Sequence, residues 1–346
     1  MNSFSAVIIR WFRENGRDLP WRETRDSYAI WLSEIILQQT RIAQGWEYWE
    51  RFMQTYPKVE DLAAASEDDV LKLWQGLGYY SRARNLHTAA KQIVALGDFP
   101  NTLEGIKSLK GVGDYTAAAI GSFAFGIPAA VVDGNVYRVL SRYFGIDTPI
   151  NSTQGKKEFA ALAQSLLPAS DAASYNQGMM DFGAIQCTPQ SPKCLLCPLA
   201  ETCEALRCGR VEELPVKNKT VKVKTRHLSY IYIRCKSSAA DGAGNSEPMV
   251  AIHRRGEGDI WQGLWEPYNV SDIKELPSFV KNPILLAKDV KHVLTHRVLL
   301  ADFYLLETES RPPLPDDYIW IRESEIEDYG VPRLIEIMLE KINPAE

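Results

Sequence analysis

The stretch Leu109-Lys-Gly-Val-Gly-Asp-Tyr-Thr-Ala117 joins a turn bracketed by two glycines to the start of a helix. Glycine allows a tight turn and a close approach of the backbone, and the free amides at a helix start attract anions. The turn Gly111-Val-Gly113 therefore predicts a phosphate-binding site between two helices. A G-x-G sequence alone is most often a plain helix–helix turn, so this interpretation depends on the residues around it.

Helical periodicity dominates the chain on both sides of this turn, over residues 1–210. In Ser27–Arg41, for example, apolar residues recur at helical spacing and predict a single helix. We expect an all-α domain over residues 1–210, with the glycine turn and its two helices at about 105–125.

Four of the six cysteines share one short loop with the spacing C-x6-C-x2-C-x5-C, and they are Cys187, Cys194, Cys197 and Cys203. Disulfide frameworks are typical of small secreted domains, and this chain has 346 residues and no signal-peptide pattern. Structural zinc sites usually contain two tight C-x2-4-C pairs, whereas one tight pair here is flanked by single cysteines at wider gaps. We therefore expect the loop at 187–203 to bind a [4Fe–4S] cluster.

The pattern changes from helical to strand-like after residue 210. Residues 211–226 form a predicted connector, in which Lys217–Arg226 contains five basic residues and no acid. Such a linker is most often only solvated, although beside a nucleic-acid module it can also contact phosphate. Residues 227–346 contain segments rich in β-branched and aromatic residues and a Gly/Ala/Ser-rich loop at 237–247, which together predict an α+β domain.

The charge balance excludes a strong attraction to nucleic acid over the whole surface. Residues 1–210 carry 21 basic and 22 acidic side chains, and residues 211–346 carry 18 and 22. Contacts with phosphate must therefore come from local patches and backbone amides. The apolar run at the N-terminus is too short for a signal peptide or a membrane span. We expect a cytoplasmic monomer without membrane partners, associated with the nucleoid if the source is a bacterium.

Two carboxyl groups lie in contrasting surroundings. Glu34 lies among the apolar residues of Ile30–Leu37, where burial raises the pKa of a carboxyl group and makes it a candidate general acid. Asp133 precedes a predicted helix, where backbone amides and the helix dipole favour its ionised form. Such a pair suits acid catalysis beside an anion at a sugar carbon. The alternatives are a glutamate at a helix edge and an ordinary N-cap aspartate, which taken alone is the more common role.

Taken together, these motifs resemble those of the MutY-type adenine DNA glycosylases of the helix–hairpin–helix superfamily. The resemblance runs from about residue 6 to the C-terminus and includes the four cysteines. Its other segments are Leu19-Pro-Trp-Arg22, Trp31–Thr40, Gly76–Arg82, Leu109–Ala117 and Val131–Val136. It implies excision of adenine opposite 8-oxoguanine, or opposite guanine, in double-stranded DNA, and it supports the [4Fe–4S] cluster.

The resemblance implies catalytic roles for four residues. Glu34 corresponds to the general acid that protonates adenine N7, and Asp133 to the carboxylate that stabilises, or transiently bonds to, the sugar carbon. Tyr115 and Asn135 correspond to residues that hydrogen-bond around that aspartate and the reacting nucleotide. In related thymine-glycol glycosylase/lyases the position of Tyr115 is a lysine that forms a Schiff base, so the tyrosine implies a monofunctional glycosylase.

The resemblance also implies contacts with the lesion. Gln39, Thr40 and Tyr79 correspond to a wedge and to contacts with the opposite 8-oxoguanine, where an aromatic ring can stack between bases. The alternatives are a core position for Tyr79 and plain helix surface for the other two. Where many members have Phe-Ser-His, this chain has Leu294-Thr-His296, in which Thr295 keeps a hydroxyl group for this contact. His296 suits a polar contact better than a metal site, because no second cluster of ligands surrounds it.

The C-terminal domain resembles the MutT-like, Nudix-fold module of the same family, with Gly263-Leu-Trp-Glu-Pro267 as its recognisable element. A Nudix hydrolase needs a glutamate-rich metal-binding sequence of the form R-E-x-x-E-E, and the chain contains none. We therefore expect this domain to recognise the lesion without hydrolysis.

Three other functions remain open from the sequence. The first is a glycosylase on the same scaffold that excises uracil or thymine from a mismatch. The second is a catalytically silent lesion-binding module, which the presence of both Glu34 and Asp133 disfavours. The third is an electron-transfer protein, which only the cluster supports.

Overall fold

The computed structural model describes residues 3–218, 223–236, 247–270 and 276–342. Internal contacts divide the chain into two compact units: unit 1 is Met1–Ala64 with Thr88–Lys219, and unit 2 is Ala65–His87 with Thr220–Glu346. Residues 237–246 of the predicted loop and 219–222 of the predicted connector lie outside the described residues. The domain limits inferred from sequence stay predictions, and the structure adds that residues 65–87 group with the C-terminal half.

The N-terminal half is helical, as the periodicity predicted. In chain order its helices are α1 (Ser3–Asn15), α2 (Ser27–Ile36), α3 (Ile42–Thr55), α4 (Val59–Ala64), α5 (Glu67–Leu73), α6 (Ser81–Leu96), α7 (Leu103–Ser108), α8 (Asp114–Phe125), α9 (Gly134–Phe144), α10 (Thr153–Leu166), α11 (Ala172–Asp181) and α12 (Glu204–Arg207). Helix α5 and the first residues of α6 belong to unit 2. In unit 1, helices α1, α9, α10 and α11 share a core that includes Ile8, Leu140, Phe159 and Tyr175.

Helices α7 and α8 form the hairpin expected around the glycine turn. The chain turns through Leu109–Gly113, and Gly111 has a φ of 79°, a left-handed conformation that favours glycine. Gly113 is the N-cap of α8, and a Cβ atom there would meet no protein atom within 4 Å. The space beside Gly113 is therefore not filled by side chains from elsewhere in the fold, and the amides at the start of α8 stay the predicted phosphate-binding site.

Helix α2 is shorter than the predicted segment Ser27–Arg41. It begins after its N-cap, Asp26, and ends at Ile36. Gln39 has a φ of 56°, a left-handed conformation that a continuing α-helix does not allow. The helix prediction was wrong over residues 37–41, because apolar periodicity does not detect a local reversal of the backbone.

Unit 2 contains a mixed sheet of seven strands among its described residues. The strands are β1 (Lys224–Cys235), β2 (Met249–Arg254), β3 (Trp265–Glu266), β4 (Tyr268–Val270), β5 (Ile284–Val293), β6 (Arg297–Thr308) and β7 (Tyr318–Arg322), and the helix α13 is Arg333–Ile342. The order is β3-β2-β1-β6-β5, with β4 paired to β1 and β7 to β2. Only β1 and β6 are parallel among these pairs, and their pairing begins at Lys224 and Arg297. Strand β1 therefore starts within the predicted connector.

Alternation along β1 supplies two apolar faces to this sheet. Tyr230 and Tyr232 pack in one cluster with residues of α13, whereas Ile231 and Ile233 pack in another with Ala251. Side chains alternate between the two faces of a strand, so this segment is buried on both sides. Among the described residues, no helix has the length and apolar character that crossing a bilayer requires.

Candidate active site

Glu34 lies on helix α2 and is 6% exposed. Burial raises the pKa of Glu34 to about 7, and the neighbouring Asp133 carboxyl also contributes to the rise. A carboxyl group with this pKa is partly protonated near neutral pH, as a general acid must be. The structure thus places Glu34 in the buried position that its helical neighbours predicted.

Tyr115 is the hydrogen-bond partner of Glu34. It lies in the first turn of α8, and its hydroxyl donates to Glu34 Oε2 at 3.0 Å. The resemblance implied a position around Asp133, whereas the bond observed is to the glutamate. Burial raises the pKa of Tyr115 well above its usual value, so the hydroxyl stays a neutral donor.

Asp133 is the N-cap of helix α9. Its Oδ1 accepts hydrogen bonds from the backbone amides of Asn135, at 2.9 Å, and Val136, at 2.8 Å, and its Oδ2 accepts from Asn135 Nδ2 at 2.8 Å. Burial raises the pKa of Asp133, and these three bonds oppose the rise. The sequence argument expected backbone amides and the helix dipole to favour the ionised form of Asp133. The pKa of Asp133 is instead raised, because the helix cap lies inside a desolvated site.

Arg138 connects this cap to the cysteine loop, and no sequence motif marked it. Its Nη2 donates to Asn135 Oδ1 at 2.8 Å and to the carbonyl of Gly183 at 2.6 Å. Its Nε donates to the carbonyl of Cys187 at 2.7 Å. A Cβ atom at Gly183 would lie 2.6 Å from the Cβ of Asn135, so only glycine allows this packing.

A pocket beside Glu34 is lined by residues whose roles the sequence did not reveal. They include Trp21 and Arg22 of the Leu19-Pro-Trp-Arg22 motif, and Gln177 and Met180 of helix α11. Asp181, which is fully buried, accepts hydrogen bonds from Arg22 Nη1 and Nη2, both at 2.8 Å. These bonds fix the guanidinium group next to the pocket.

The predicted DNA contacts of unit 1 lie in turns. Gln39 is exposed, and Thr40 is half-buried with its amide bonded to the carbonyl of Leu37. Both lie in the turn after α2, so neither occupies the helix surface that was the alternative. Gly111 and Gly113 lie in the hairpin turn described above.

The predicted lesion contacts of unit 2 lie together. Tyr79 is 47% exposed, which argues against a core role, and its hydroxyl lies 2.6 Å from Thr295 Oγ1. Thr295 and His296 are exposed at the centre of the turn between β5 and β6. Reciprocal backbone hydrogen bonds between Leu294 and Arg297 close this turn.

The four cysteines of the loop line one cavity, together with Arg142, Pro192 and Leu206. All four are free thiols, and Arg142 Nη1 donates to Cys187 Sγ at 3.4 Å. In the described part of the chain, no three His, Cys, Asp or Glu side chains are placed to hold a single metal ion. Four cysteine thiols that line one cavity fit a multi-iron cluster with cysteine ligands.

Family models match three parts of the chain. Residues 32–168 match the HhH-GPD superfamily base excision DNA repair protein, residues 187–203 the iron–sulfur binding domain of endonuclease III, and residues 244–341 the NUDIX domain. A thermostable thymine-DNA glycosylase has a similar structure, with a TM-score of 0.56 and 34% identity, covering 59% of this chain and 95% of that one. A trapped endonuclease III–DNA intermediate, at 23% identity and a TM-score of 0.52, shares the fold over 59% of this chain and 94% of its own.

The fold and the site define a base excision DNA glycosylase with an iron–sulfur motif and a Nudix-like C-terminal domain. The adenine DNA glycosylase of Buchnera aphidicola subsp. Schizaphis graminum is 30% identical over 355 residues, covering 97% of this chain and 98% of that one. The adenine DNA glycosylase of Buchnera aphidicola subsp. Acyrthosiphon pisum is 39% identical, and the match covers 76% of this chain and 73% of that protein. The human adenine DNA glycosylase is 42% identical, and the match covers 62% of this chain and 41% of that protein. The chain belongs to the adenine DNA glycosylase family.

The cofactor of the cysteine loop is a [4Fe–4S] cluster, in agreement with the iron–sulfur family model. We expect protein purified in air to be brown, with a broad visible absorbance band from thiolate–iron charge transfer. If Cys197 is one of the ligands, as its spacing predicts, Cys197→Ser should lose this band and its iron. Cys208→Ser, which changes an exposed cysteine outside the set of four, should keep both. A colourless, zinc-containing and active wild-type preparation would contradict the assignment.

Proposed function

We propose that this protein removes adenine from double-stranded DNA where the adenine lies opposite 8-oxoguanine, and does so as a monofunctional glycosylase. The observation that carries the proposal is the pair formed by Glu34 and Asp133. One is a buried acid with a pKa raised to about 7, and the other is a carboxylate held by three hydrogen bonds. Membership of the adenine DNA glycosylase family supports adenine as the excised base.

Glu34 is proposed to act on the leaving base. An adenine turned out of the duplex into the pocket beside Glu34 would receive the proton of its carboxyl group at N7. The bond between N9 and the sugar C1′ then breaks, and its electron pair leaves with the neutralised base. Tyr115 holds the carboxyl group in place through its hydroxyl, at 3.0 Å from Oε2.

Asp133 is proposed to act on the sugar. Loss of the base leaves positive charge on the sugar ring, and an anion fixed in advance stabilises such charge without reorganisation. The hydrogen bonds from Asn135 and Val136 fix this carboxylate and favour its ionised form. Water then adds to C1′ and loses a proton, which leaves an abasic site.

Tyr79 and Thr295, which both belong to unit 2, are proposed to recognise the opposite base. Tyr79 would stack beside 8-oxoguanine, and Thr295 would offer its hydroxyl to the lesion. Their mutual distance of 2.6 Å supports a shared role. Gln39 and Thr40 would contact the opposite strand from the turn after α2, and the hairpin amides after Gly111 and Gly113 would bind phosphate. His296 would add a polar contact.

The partner is therefore duplex DNA, and we propose that the protein acts on it as a monomer in the cytoplasm. All residues assigned to catalysis come from unit 1 of a single chain. The C-terminal domain would recognise the lesion without hydrolysis, because its sequence lacks the R-E-x-x-E-E element.

The test is a comparison of single-turnover excision on duplexes that differ in one pair. Adenine opposite 8-oxoguanine should be excised fastest and adenine opposite guanine more slowly. Thymine opposite guanine should remain intact, and it serves as the test for the mismatch glycosylase suggested by the structural likeness. Preferential excision of thymine would overturn the proposal, and binding without any excision would indicate a silent lesion-binding module.

The product should be an intact strand with an abasic site, nicked only after alkali is added. Tyr115 occupies the position of the Schiff-base lysine of related lyases, and a phenol cannot form that adduct. Borohydride should therefore trap little covalent complex with wild-type protein. Tyr115→Lys should produce a trapped complex and weak strand cleavage, whereas Tyr115→Phe should produce neither. Stoichiometric trapping of the wild type would show that another lysine reaches the sugar.

A further inference from the structure

The segment 65–87 carries the exposed Tyr79 and belongs to the same compact unit as the C-terminal sheet. Tyr79 itself has a φ of 48°. It follows Gly76 and Gly78 and lies two residues before the start of helix α6. A left-handed tyrosine persists only where the surrounding structure holds it. The contacts that hold this segment therefore decide where the Tyr79 hydroxyl lies.

Several contacts connect the segment to the C-terminal part of unit 2. Arg254 Nη2 lies 2.9 Å from Glu67 Oε1 and 3.1 Å from Asp68 Oδ1, an exposed pairing on helix α5. Gln75 bonds to Glu336 through its amide nitrogen and accepts from the amide of Val331. These contacts lie on the side of the segment that precedes Tyr79.

Arg84 connects the part of the segment that follows Tyr79 to the loop at Gln262. It lies five residues further along, on helix α6, and its Nη1 donates to the main-chain carbonyl of Gln262 at 2.6 Å. Its Nη2 lies 3.5 Å from the side-chain oxygen of the same residue. A half-buried guanidinium group on a carbonyl makes a charge-assisted hydrogen bond, which is stronger than a neutral one.

Trp261, the residue before Gln262, extends this connection toward the turn between β5 and β6. Trp261 has a φ of 60°, and its ring packs edge-on against His292, with centroids 5.7 Å apart. His292 lies near the end of β5, three residues before Thr295. Arg84, Gln262, Trp261 and His292 thus link the helix after Tyr79 to the turn that carries Thr295.

We propose that Arg84 is a positioning residue for lesion recognition, which holds the Tyr79 hydroxyl at hydrogen-bond distance from Thr295 by fixing helix α6 to the loop at Gln262. Arg84 is not among the residues assigned to catalysis or to the cysteine loop. It acts through Tyr79 and Thr295, and its effect is on the discrimination between 8-oxoguanine and guanine. The inference rests on the proposed function, because it assumes that these two residues read the opposite base.

The experiment measures the ratio of single-turnover adenine excision rates opposite 8-oxoguanine and opposite guanine, in the full-length protein. Loss of a hydrogen bond from a charged group typically changes an equilibrium by about 10-fold or more, so Arg84→Ala should lower this ratio by about 10-fold. Arg84→Lys keeps the positive charge but lacks the planar guanidinium group, and it should lower the ratio less. Lys91→Ala removes an exposed charge from the same helix and should leave the ratio unchanged.

A double-mutant cycle separates positioning from general destabilisation. Thr295→Val removes the hydroxyl group that meets Tyr79, so Arg84→Ala should add little further loss of the ratio in that background. An unchanged ratio for Arg84→Ala, with both rates lowered equally, would show a purely structural role and overturn the inference. Additive losses in the cycle would overturn it as well. A wild type without any preference for 8-oxoguanine would instead overturn the proposed function, and this inference with it.

Discussion

Glu34→Gln should bind the lesion duplex as wild type does and excise adenine about 10²–10⁴-fold more slowly, the usual cost of losing a general acid. Glutamine has nearly the same shape and can still accept the hydrogen bond from Tyr115, but it has no proton to give to the base. The measurement is single-turnover excision, with duplex binding measured on the same preparations. Turnover near that of wild type would refute the assignment.

Two controls make this result specific. Glu47→Gln makes the same chemical change at an exposed position of helix α3, and it should leave the rate unchanged. The pH profile is the second. Because burial raises the pKa of Glu34 to about 7 and the protonated form is the reactive one, the wild-type rate should fall as pH rises through about 7. The remaining activity of Glu34→Gln should lack this inflection.

Asp133→Asn should lower the excision rate by about 10²–10³-fold, the range found when one preorganised electrostatic contact is removed. Asparagine is as good an N-cap as aspartate, so helix α9 should keep its start while the negative charge beside the sugar is lost. The measurement is again single-turnover excision, together with thermal unfolding to confirm that the fold is retained.

The matched control for Asp133 is Asp26→Asn. Asp26 is the N-cap of α2, where its side chain accepts a hydrogen bond from the amide of Tyr28 at 2.9 Å. Both substitutions preserve a cap, but only one removes a charge from the candidate active site. If the two variants keep the same activity, then Asp133 is an ordinary helix cap and the stabilising role is wrong.

Local patterns in the sequence predicted much of this protein. The cysteine spacing predicted the iron–sulfur cofactor, because the four cysteines lie close along the chain and such a spacing is a local property. The apolar neighbours of Glu34 predicted its burial, because positions three and four apart share one helix face. The glycine turn at 111–113 predicted the hairpin for the same reason, since a turn is specified by adjacent residues.

The same local reasoning failed where the backbone or the environment departs from the pattern. The segment after Ile36 has the periodicity of a helix, yet Gln39 is left-handed and the helix stops. For Asp133 the helix cap was correctly located, but the upward shift of its pKa was not predicted, because burial depends on helices distant in the sequence. Neither effect has a signature within a short window of residues.

Residue type and spacing within single segments predicted the helical and strand-rich halves, the iron–sulfur cofactor of the cysteine loop and the burial of Glu34. The partners of these side chains depend on the folded chain. The hydroxyl of Tyr115 reaches Glu34 across 81 positions of sequence, and the bond between Tyr79 and Thr295 spans 216. Arg84 and Arg138 act on main-chain carbonyls, which every residue possesses and no sequence pattern distinguishes. Such contacts form only when the chain has folded and brought distant segments together.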